Sequence, residues 1–390
     1  TTYVEELYNK KYTKNNDKMT TIHEERKTKF WEMLEKISPV MIRPTTSSIT
    51  ISFSKRFLLF DMLRKITKKI EDDPYLNFIS VIKNYKLSVM SHGTITELYK
   101  DRNSFYFKNF FAEKKLYQIV KKDIEWVYQR NKNLKLTLTK KGIIVYDNYS
   151  KNNFNVLIMT IHSGTWMPEE IMKKQAIPEE KRLLEEDIDT HRIYADLVLK
   201  KSGIWIDNKY SRFACDCNRA PERAVYSNRQ EKFTKKIWKE DLTTSERKKI
   251  LKIYAEFYFI LGHLIDSYRF NIIFDAHSMR AAKGRPEMSF GTKYIPSFYM
   301  PVVRSMQRKL SKMGYNPVSL NKPYAGGHIL KWLNKRFPDV FICSMEVNKS
   351  LYMTRNRRKT IEKKLIKLSD NLTKIFDIED AEEDTSKRAE

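Results

Sequence analysis

The sequence predicts an α/β protein with a mainly parallel, mixed sheet flanked by helices and preceded by a helical, basic N-terminal extension. Two observations predict this fold. From residue 136 onward, short apolar runs alternate with segments of helical period, which is typical of strands connected by helices. Before residue 136, the chain contains amphipathic segments of helical period that are rich in lysine and arginine.

The extension, residues 1–135, is predicted to be mainly helical. Thr21 and Glu24 have the spacing of a capping box at the start of one helix. The segments 54–70 and 101–130 show the same amphipathic periodicity. We expect these helices to attach the protein to a partner and to contribute nothing to chemistry.

The α/β part, residues 136–376, contains seven apolar runs that predict strands. They lie at residues 142–146, 155–161, 203–206, 212–217, 271–275, 315–319 and 339–346. The clearest connecting helix is predicted at about residues 244–269, where Thr243 and Glu246 form a second capping-box spacing. Residues 377–390 are predicted to form a charged tail.

Length and composition limit the class of protein. The chain has 390 residues, of which 41% are hydrophobic, so it can bury a large core. No apolar run reaches the roughly 18 residues of a membrane span, and we expect no transmembrane segment. The three cysteines are too few for a disulfide framework, and Cys215 and Cys217 lack a second pair for a structural zinc site. We expect reduced, partly buried thiols.

The net charge of +26 indicates an acidic partner, such as RNA, an anionic membrane surface or a small anionic substrate. The charge does not choose among these partners. A uniformly basic chain is compatible with a mitochondrial matrix or a large ribonucleoprotein assembly, and equally with the composition of its source genome. We expect a mitochondrial location, with a cytoplasmic one as the alternative.

Polar side chains accumulate where the predicted strands end. The stretches are IHSG at 161–164, DCNR at 216–219, DAHS at 275–278 and SMEVN at 344–348, with EEDIDTH at 185–191 between the first two. In open α/β sheets, ligands bind outside the carboxyl ends of the strands. His162, His191 and His277 all lie in these stretches. Two imidazoles and a carboxylate are the ligands of a catalytic zinc that leaves a position open for water.

The chain resembles the N-formylglutamate amidohydrolase (N-formylglutamate deformylase) family in the order and approximate spacing of seven motifs. These are IHSG, DIDTH, YSRFACDCNRAPE, IIFDAHSMR, FGT, NKPYAGGHI and MEVNKSLYM, which together cover about residues 136–376. The family is similar in fold to zinc carboxypeptidases and aspartoacylase, so the resemblance implies a phosphorylase/hydrolase-like sheet. It also implies a zinc-dependent amidohydrolase that acts on a linear amide and converts N-formylglutamate to formate and glutamate.

The metal site is predicted to contain His162 and His277 as ligands of one zinc ion, with Asp189 as the carboxylate ligand. Three residues are rivals for the third place: Asp187, Glu169 and His191. Glu346 resembles the general base of carboxypeptidase-like enzymes and would carry the water proton to the leaving amine. Asp275 is predicted to orient His277 or a backbone group.

The small anionic substrate requires cationic and amide donors. Arg219 with Asn218 is predicted to bind an α-carboxylate, because a guanidinium fork matches a carboxylate with two hydrogen bonds. Arg280 is predicted to hold the second carboxylate or to stabilise an oxyanion. Gly326 and Gly327 would allow the backbone to approach a ligand closely.

The chain departs from the family pattern at three places. Ile161 replaces a usual proline, and residues 1–135 have no family counterpart. The family commonly continues its Gly-Gly segment with a basic residue and then a histidine, whereas this chain reads GGHILKWLNKRF. The added basic part predicts an alternative function. In this hypothesis the chain is a structural or accessory subunit of a large mitochondrial assembly such as the mitoribosome, contacts RNA through the extension, and retains the hydrolase fold with or without activity.

Overall fold

The fold is described from a computed structural model. The described residues are 48–51, 87–92, 94–111, 113–228, 236–356 and 359–376. The capping box at Thr21 and Glu24, the segment 54–70 and the charged tail 377–390 lie outside these ranges. The divisions of the chain at residues 135 and 376 stay predictions.

Ten strands of the described residues form one mixed sheet in the order β1-β2-β3-β4-β6-β5-β7-β10-β8-β9. The strands are β1 (Ser48–Ile51), β2 (Leu87–His92), β3 (Lys135–Thr139), β4 (Ile143–Asn148), β5 (Val156–Thr160), β6 (Gly203–Asn208), β7 (Ile272–Met279), β8 (Met288–Gly291), β9 (Val318–Leu320) and β10 (Phe341–Asn348). Strands β6, β5, β7 and β10 form a parallel centre. Antiparallel pairs extend the sheet toward β1 and join β10 to β8, which pairs in parallel with β9. The predicted fold, a mixed sheet flanked by helices, is confirmed.

The helices of the described residues connect these strands. They are α1 (Ile95–Asp101), α2 (Phe105–Phe110), α3 (Lys114–Tyr128), α4 (Glu169–Met172), α5 (Glu179–Glu185), α6 (Thr190–Tyr194), α7 (Thr244–Ser267), α8 (Met300–Lys312), α9 (His328–Arg336) and α10 (Glu362–Lys374). Single turns of other helical types lie at Leu197–Lys201, Pro221–Arg223, Ser297–Tyr299 and Lys349–Leu351. None of the described helices has the length and apolar content that a membrane crossing requires.

Helix α7 begins at the predicted capping box and positions one edge of the site. The Thr243 side chain accepts a hydrogen bond from the backbone N–H of Glu246, whose carboxylate in turn accepts from the Thr243 N–H at 2.9 Å. Apolar side chains recur along its buried face with helical period, as predicted. From this face the Tyr258 hydroxyl donates to the carbonyl of Cys217 at 2.8 Å, which fixes the loop that follows β6.

Six of the seven predicted strands overlap observed strands, and the prediction at 212–217 is wrong. This segment is a turn, because the N–H groups of Ala214 and Cys215 donate back to the Ser211 carbonyl at 2.9 and 3.1 Å. Phe213, Ala214 and Cys215 are buried, so the segment has the apolar content of a strand without strand hydrogen bonds. All three cysteines are free and buried.

The described part of the chain before residue 136 packs on the same sheet. Strand β2 pairs with β3 in antiparallel register. Helix α3 buries one apolar face in the common core through Leu116, Val120, Ile124 and Val127. This part therefore contains strands as well as the predicted amphipathic helices.

A buried ion cluster joins α3 to the sheet. The Lys209 side chain is only 2% exposed, and its ammonium lies 2.5 Å from Asp123 Oδ2 and pairs with Asp207. Burial raises the pKa of Asp123, but the Lys209 ammonium lowers it, and the net pKa lies below its usual value. Asp207 also accepts hydrogen bonds from Thr160 and Ser163, at 2.7 and 2.5 Å. The cluster thus connects α3 with the end of β5.

We predict that Asp123→Asn lowers the free energy of unfolding by about 3 kcal/mol, because it leaves the buried Lys209 with one carboxylate instead of two. The matched control is Glu125→Gln, which removes a part-exposed carboxylate from the same helix. We expect this control to cost under about 1 kcal/mol. Urea denaturation measures both values, and equal losses would show that the buried cluster does not hold α3 in place.

Candidate metal centre

Two histidines meet at the carboxyl ends of neighbouring parallel strands. His162 follows β5 by two residues, and His277 lies in the second half of β7. Both side chains are buried, and their ring centroids are 4.9 Å apart. The structure therefore brings together the two imidazoles that the sequence predicts as metal ligands.

Asp187 lies between the two imidazoles. Its loop connects α5 to α6 and directs Oδ2 to within 3.0 Å of His277 Nδ1 and 3.9 Å of His162 Nδ1. One ligand atom from each of the three residues lies within 4.8 Å of the others. Two imidazole nitrogens and one carboxylate oxygen could therefore hold a metal ion.

A carboxylate lies within 3 Å of the far nitrogen of each ring. With its proton on Nε2, His162 donates to Asp216 Oδ1 at 2.7 Å. His277 Nε2 lies 2.9 Å from Asp275 Oδ1, as predicted for a residue that orients this ring. His162 Nδ1 is buried and has no hydrogen-bond partner among the described residues. Metal-binding histidines show this pattern, because an outer carboxylate fixes the tautomer and the ring orientation.

The electrostatics of the three residues fit a cation. Burial lowers the pKa of His162, and the nearby Arg212 lowers it further, which favours the neutral ring that binds metals. Burial also lowers the pKa of His277, but Asp275 and Asp187 raise it well above its usual value. Asp275 and Asp187 therefore stabilise a positive charge at this position, either a proton on the His277 ring or a metal ion bound to it.

Asp189, the predicted carboxylate ligand, does not belong to the group of possible metal ligands among the described residues. It is the N-cap residue of α6 with a left-handed φ of 56°, and its carboxylate accepts a hydrogen bond from the Thr360 hydroxyl. We therefore favour Asp187, one of the rivals named from the sequence, over Asp189, and the third ligand stays a proposal. Asp189 has a left-handed backbone conformation and pairs with Thr360, so the two aspartates have different partners although they lie two residues apart.

The other two rivals for the third ligand lie elsewhere. Glu169 is exposed on α4 and pairs with Lys173 at 2.8 Å. His191 lies on α6, and its Nε2 is 3.4 Å from Asp123 Oδ1, in the buried ion cluster. Neither side chain belongs to the group of three possible metal ligands.

Glu346 lies on β10 directly opposite His277. The two residues are paired in the parallel register, so their side chains leave the same face of the sheet. Burial raises the pKa of Glu346 to about 8, with His277 lowering it and Asp187 and Asp275 raising it. A buried carboxylate with a raised pKa beside a possible metal site can exchange a proton near neutral pH.

Asp216 is the carboxylate with the most donors around the site. Burial raises its pKa, but His162 and Arg212 lower the pKa well below its usual value. The five donors are His162 Nε2, the Asn218 N–H at 2.9 Å, Arg212 at 3.2 Å, Arg219 Nε at 3.3 Å and the Tyr226 hydroxyl. This carboxylate therefore orients one metal-ligand candidate and two guanidinium groups.

The predicted substrate-binding residues Asn218 and Arg219 lie beside this carboxylate. The guanidinium of Arg219 lies 4.6 Å from the centre of the Tyr226 ring. Asn218 Nδ2 is 3.3 Å from His277 Nε2, and its side-chain oxygen accepts from the Ile329 N–H at 3.1 Å. Asn218 thus connects the imidazole to the start of α9.

The glycine pair before α9 packs against Asn218. A Cβ atom on Gly327 would lie 2.1 Å from Asn218 Oδ1, so only glycine allows this approach. Gly326 has a φ of +126°, which side chains rarely allow. The close approach that the glycine pair permits here is between two loops of the protein.

Arg280 lies at the exposed rim of the site. Its side chain is 47% exposed, and its guanidinium is 2.7 Å from Glu185 at the end of α5. The structure therefore shows Arg280 paired with the segment that precedes Asp187. Its role toward a substrate stays a prediction.

Arg212 lies next to the predicted residues, on the Asp216 carboxylate, although no prediction from the sequence names it. Its Nε donates to the Tyr226 hydroxyl at 3.3 Å, and its charge lowers the pKa of Asp187 and the pKa of Glu346. One feature of the sequence indicates it. In the motif YSRFACDCNR, Arg212 precedes Asp216 by four residues and is a second arginine beside Arg219.

Comparison with solved structures finds three likenesses of low identity. An N-formylglutamate amidohydrolase from Ralstonia eutropha is 18% identical, with 60% of this chain and 94% of that chain covered at a TM-score of 0.49. A gene product from Agrobacterium tumefaciens is 17% identical, with 64% of this chain and 96% of that chain covered at a TM-score of 0.49. A succinylglutamate desuccinylase from Chromobacterium violaceum is 10% identical, with 62% of this chain and 66% of that chain covered at a TM-score of 0.34. These likenesses carry no weight in the assignment.

A search of curated proteins finds no match. The family model for N-formylglutamate amidohydrolase matches residues 154–353, which is slightly more than half of the chain. The matched range contains both imidazoles, Asp187, Asp216 and Glu346. The chain therefore belongs to the N-formylglutamate amidohydrolase family.

Proposed function

We propose that the protein is a zinc-dependent amidohydrolase that cleaves the linear amide of N-formylglutamate to formate and glutamate. The observation that carries this proposal is the convergence of His162, His277 and Asp187, whose Oδ2 lies 3.0 Å from His277 Nδ1 and 3.9 Å from His162 Nδ1. The family name supports the amide class and the acyl amino acid. A small anionic substrate also fits the arginines around Asp216.

The metal would be held by His162, Asp187 and His277. Three protein ligands of this kind suit zinc and leave a position open, as in catalytic zinc sites. A zinc ion bound there would supply a coordinated water of pKa about 7 and a polarised amide carbonyl. Asp216 and Asp275 would keep each imidazole in the tautomer that presents Nδ1 to the ion.

Glu346 would act as general base and then as general acid. Its carboxylate takes the proton from the attacking water and delivers this proton to the departing nitrogen of glutamate. The support for this role is its position opposite His277 and its pKa of about 8. A cation bound beside Glu346 would lower this pKa and favour the carboxylate form, which accepts the proton.

The two arginines on Asp216 would bind the anionic groups of the substrate. Arg219 is oriented by Asp216 and Tyr226 and would bind the α-carboxylate, because a guanidinium fork matches a carboxylate with two hydrogen bonds. Arg212 lies on the same carboxylate and would stabilise the oxygen that becomes negative at the amide carbon. Arg280, at the rim, would reach the second carboxylate. Asn218 would position His277 and α9 through the contacts that it makes.

We do not propose the alternative function as a subunit of a mitochondrial assembly. The family match covers the α/β part and gives no support to a ribonucleoprotein or RNA partner. The mitochondrial location is not shown by any comparison.

We predict that Asp187→Asn weakens zinc binding by at least about 100-fold, because loss of a ligand should exceed the 10- to 100-fold effect typical of an outer partner. The matched control is Asp189→Asn, two residues along the same loop, which should leave zinc affinity nearly unchanged. Competition with a chromophoric chelator measures both affinities. The opposite ranking of the two variants would restore Asp189 as the ligand.

We predict that the zinc-loaded protein releases formate from N-formylglutamate and that Glu346→Gln lowers kcat by about 100- to 10,000-fold. The variant should still bind one zinc ion, since Glu346 is outside the group of three possible ligands. Formate release and metal content are measured on the same preparation. A zinc-loaded wild type without formate release would reject this substrate, and full activity of the variant would reject Glu346 as the base.

A further inference from the structure

The turn that follows β10 holds the loop that carries Asp187. The Lys349 ammonium donates to the carbonyls of Leu184, at 2.9 Å, and Glu186. The Tyr352 hydroxyl donates to the Ile188 carbonyl at 2.8 Å. Donors from a single turn therefore bind three alternate backbone carbonyls, two before Asp187 and one after it.

Both side chains are buried. Lys349 is 1% exposed and Tyr352 is fully buried. A lysine is almost never buried to this extent without partners, because removing an ammonium from water is costly. Burial lowers the pKa of Lys349, while Asp187, Glu185 and Glu186 raise it. The reaction proposed for this protein has no other use for this lysine, so its position requires a separate explanation.

The held loop has little structure of its own. Residues 186–189 lie between α5 and α6, and Asp189 within them has a left-handed backbone conformation. The Glu186 carbonyl accepts one hydrogen bond within this segment, from the Ile188 N–H at 2.9 Å, and the three held carbonyls also have donors from outside it. The donors come from the turn 349–352, which is continuous with the strand that carries Glu346.

We propose that Lys349 and Tyr352, here named the carbonyl clamp, are positioning residues that place the Asp187 carboxylate between His162 and His277. The clamp thereby sets the affinity of the site for its metal, and this inference rests on the metal site of the proposed function. Because Glu346 precedes Lys349 by three residues, the clamp also fixes the metal-binding loop relative to the general base.

The sign of the effect separates a positioning role from a role of charge alone. The Lys349 ammonium is a positive charge near Asp187, and removing it would strengthen the binding of a divalent cation if electrostatics alone mattered. If Lys349 positions Asp187, its removal weakens that binding. Tyr352→Phe changes no charge and removes one hydroxyl, so it tests positioning by itself.

The experiment measures zinc affinity and the visible spectrum of the cobalt-substituted full-length protein for wild type, Lys349→Met and Tyr352→Phe. We expect zinc dissociation constants about tenfold higher than wild type for both variants, the range typical of outer partners of a metal site. We also expect a changed cobalt absorption band, because the ligand geometry is altered. Circular dichroism establishes whether each variant is folded. If Lys349→Met is not folded, the zinc affinity and cobalt spectrum of Tyr352→Phe decide the question alone.

The matched control is Tyr299→Phe. The Tyr299 hydroxyl is also buried and donates to a backbone carbonyl, that of Asp339 at 2.7 Å, outside the Asp187 loop. Tyr299→Phe should lose about as much stability as Tyr352→Phe but keep the wild-type zinc affinity and cobalt spectrum. If the clamp served only the stability of the fold, Tyr352→Phe would also keep the wild-type zinc affinity and cobalt spectrum.

The outcomes separate this inference from the function on which it rests. A wild type that binds no zinc overturns the metal site and the clamp together. A wild type that binds zinc, with clamp variants of unchanged or higher affinity and unchanged cobalt spectra, overturns the clamp alone. Weaker zinc binding in Tyr352→Phe but not in Tyr299→Phe supports it.

Discussion

The arrangement of the site depends on one buried charge, the carboxylate of Asp216. It is fully buried, and such a group is stable in its ionised form only when donors replace the water it has lost. His162, Arg212 and Arg219 are among these donors, so the same requirement fixes a metal-ligand candidate and two cationic side chains. The apolar turn that contains Asp216 is held by Tyr258 of the capped helix α7. Removing this charge would therefore disturb the His162 imidazole and both guanidinium groups together.

The predicted ligands are supported by the elements on either side of the sheet edge. Ser163, next to His162, donates to Asp207, which belongs to the buried ion cluster with Lys209 and Asp123. The loop of Asp187 is held from the other direction by the turn after β10. The positions of these candidate ligands are thus set by contacts of residues that lie one to three positions away along the chain. This explains how a site on loops can be as well defined as one on strands.

The sequence was sufficient for the residues that follow or lie within parallel strands. His162, His277 and Glu346 could be grouped because the carboxyl ends of such strands meet at one edge of the sheet. Asp187 could not be separated from Asp189, since hydrophobic periodicity says nothing about a left-handed turn at Asp189. The run 212–217 was misread for a related reason. A run of buried apolar residues predicts a strand whether its N–H groups bond to a neighbouring strand or, as here, back to the Ser211 carbonyl. Arg212 lies within that run, so the strand prediction drew attention away from it.

The most direct test of the proposed zinc site is X-ray diffraction from crystals grown with zinc, with anomalous differences measured at the zinc absorption edge. The proposal predicts one strong peak bonded to Nδ1 of His162, Nδ1 of His277 and a carboxylate oxygen of Asp187, at zinc–ligand distances of about 2.0–2.2 Å. A zinc peak elsewhere, or none between two intact imidazoles, would contradict it.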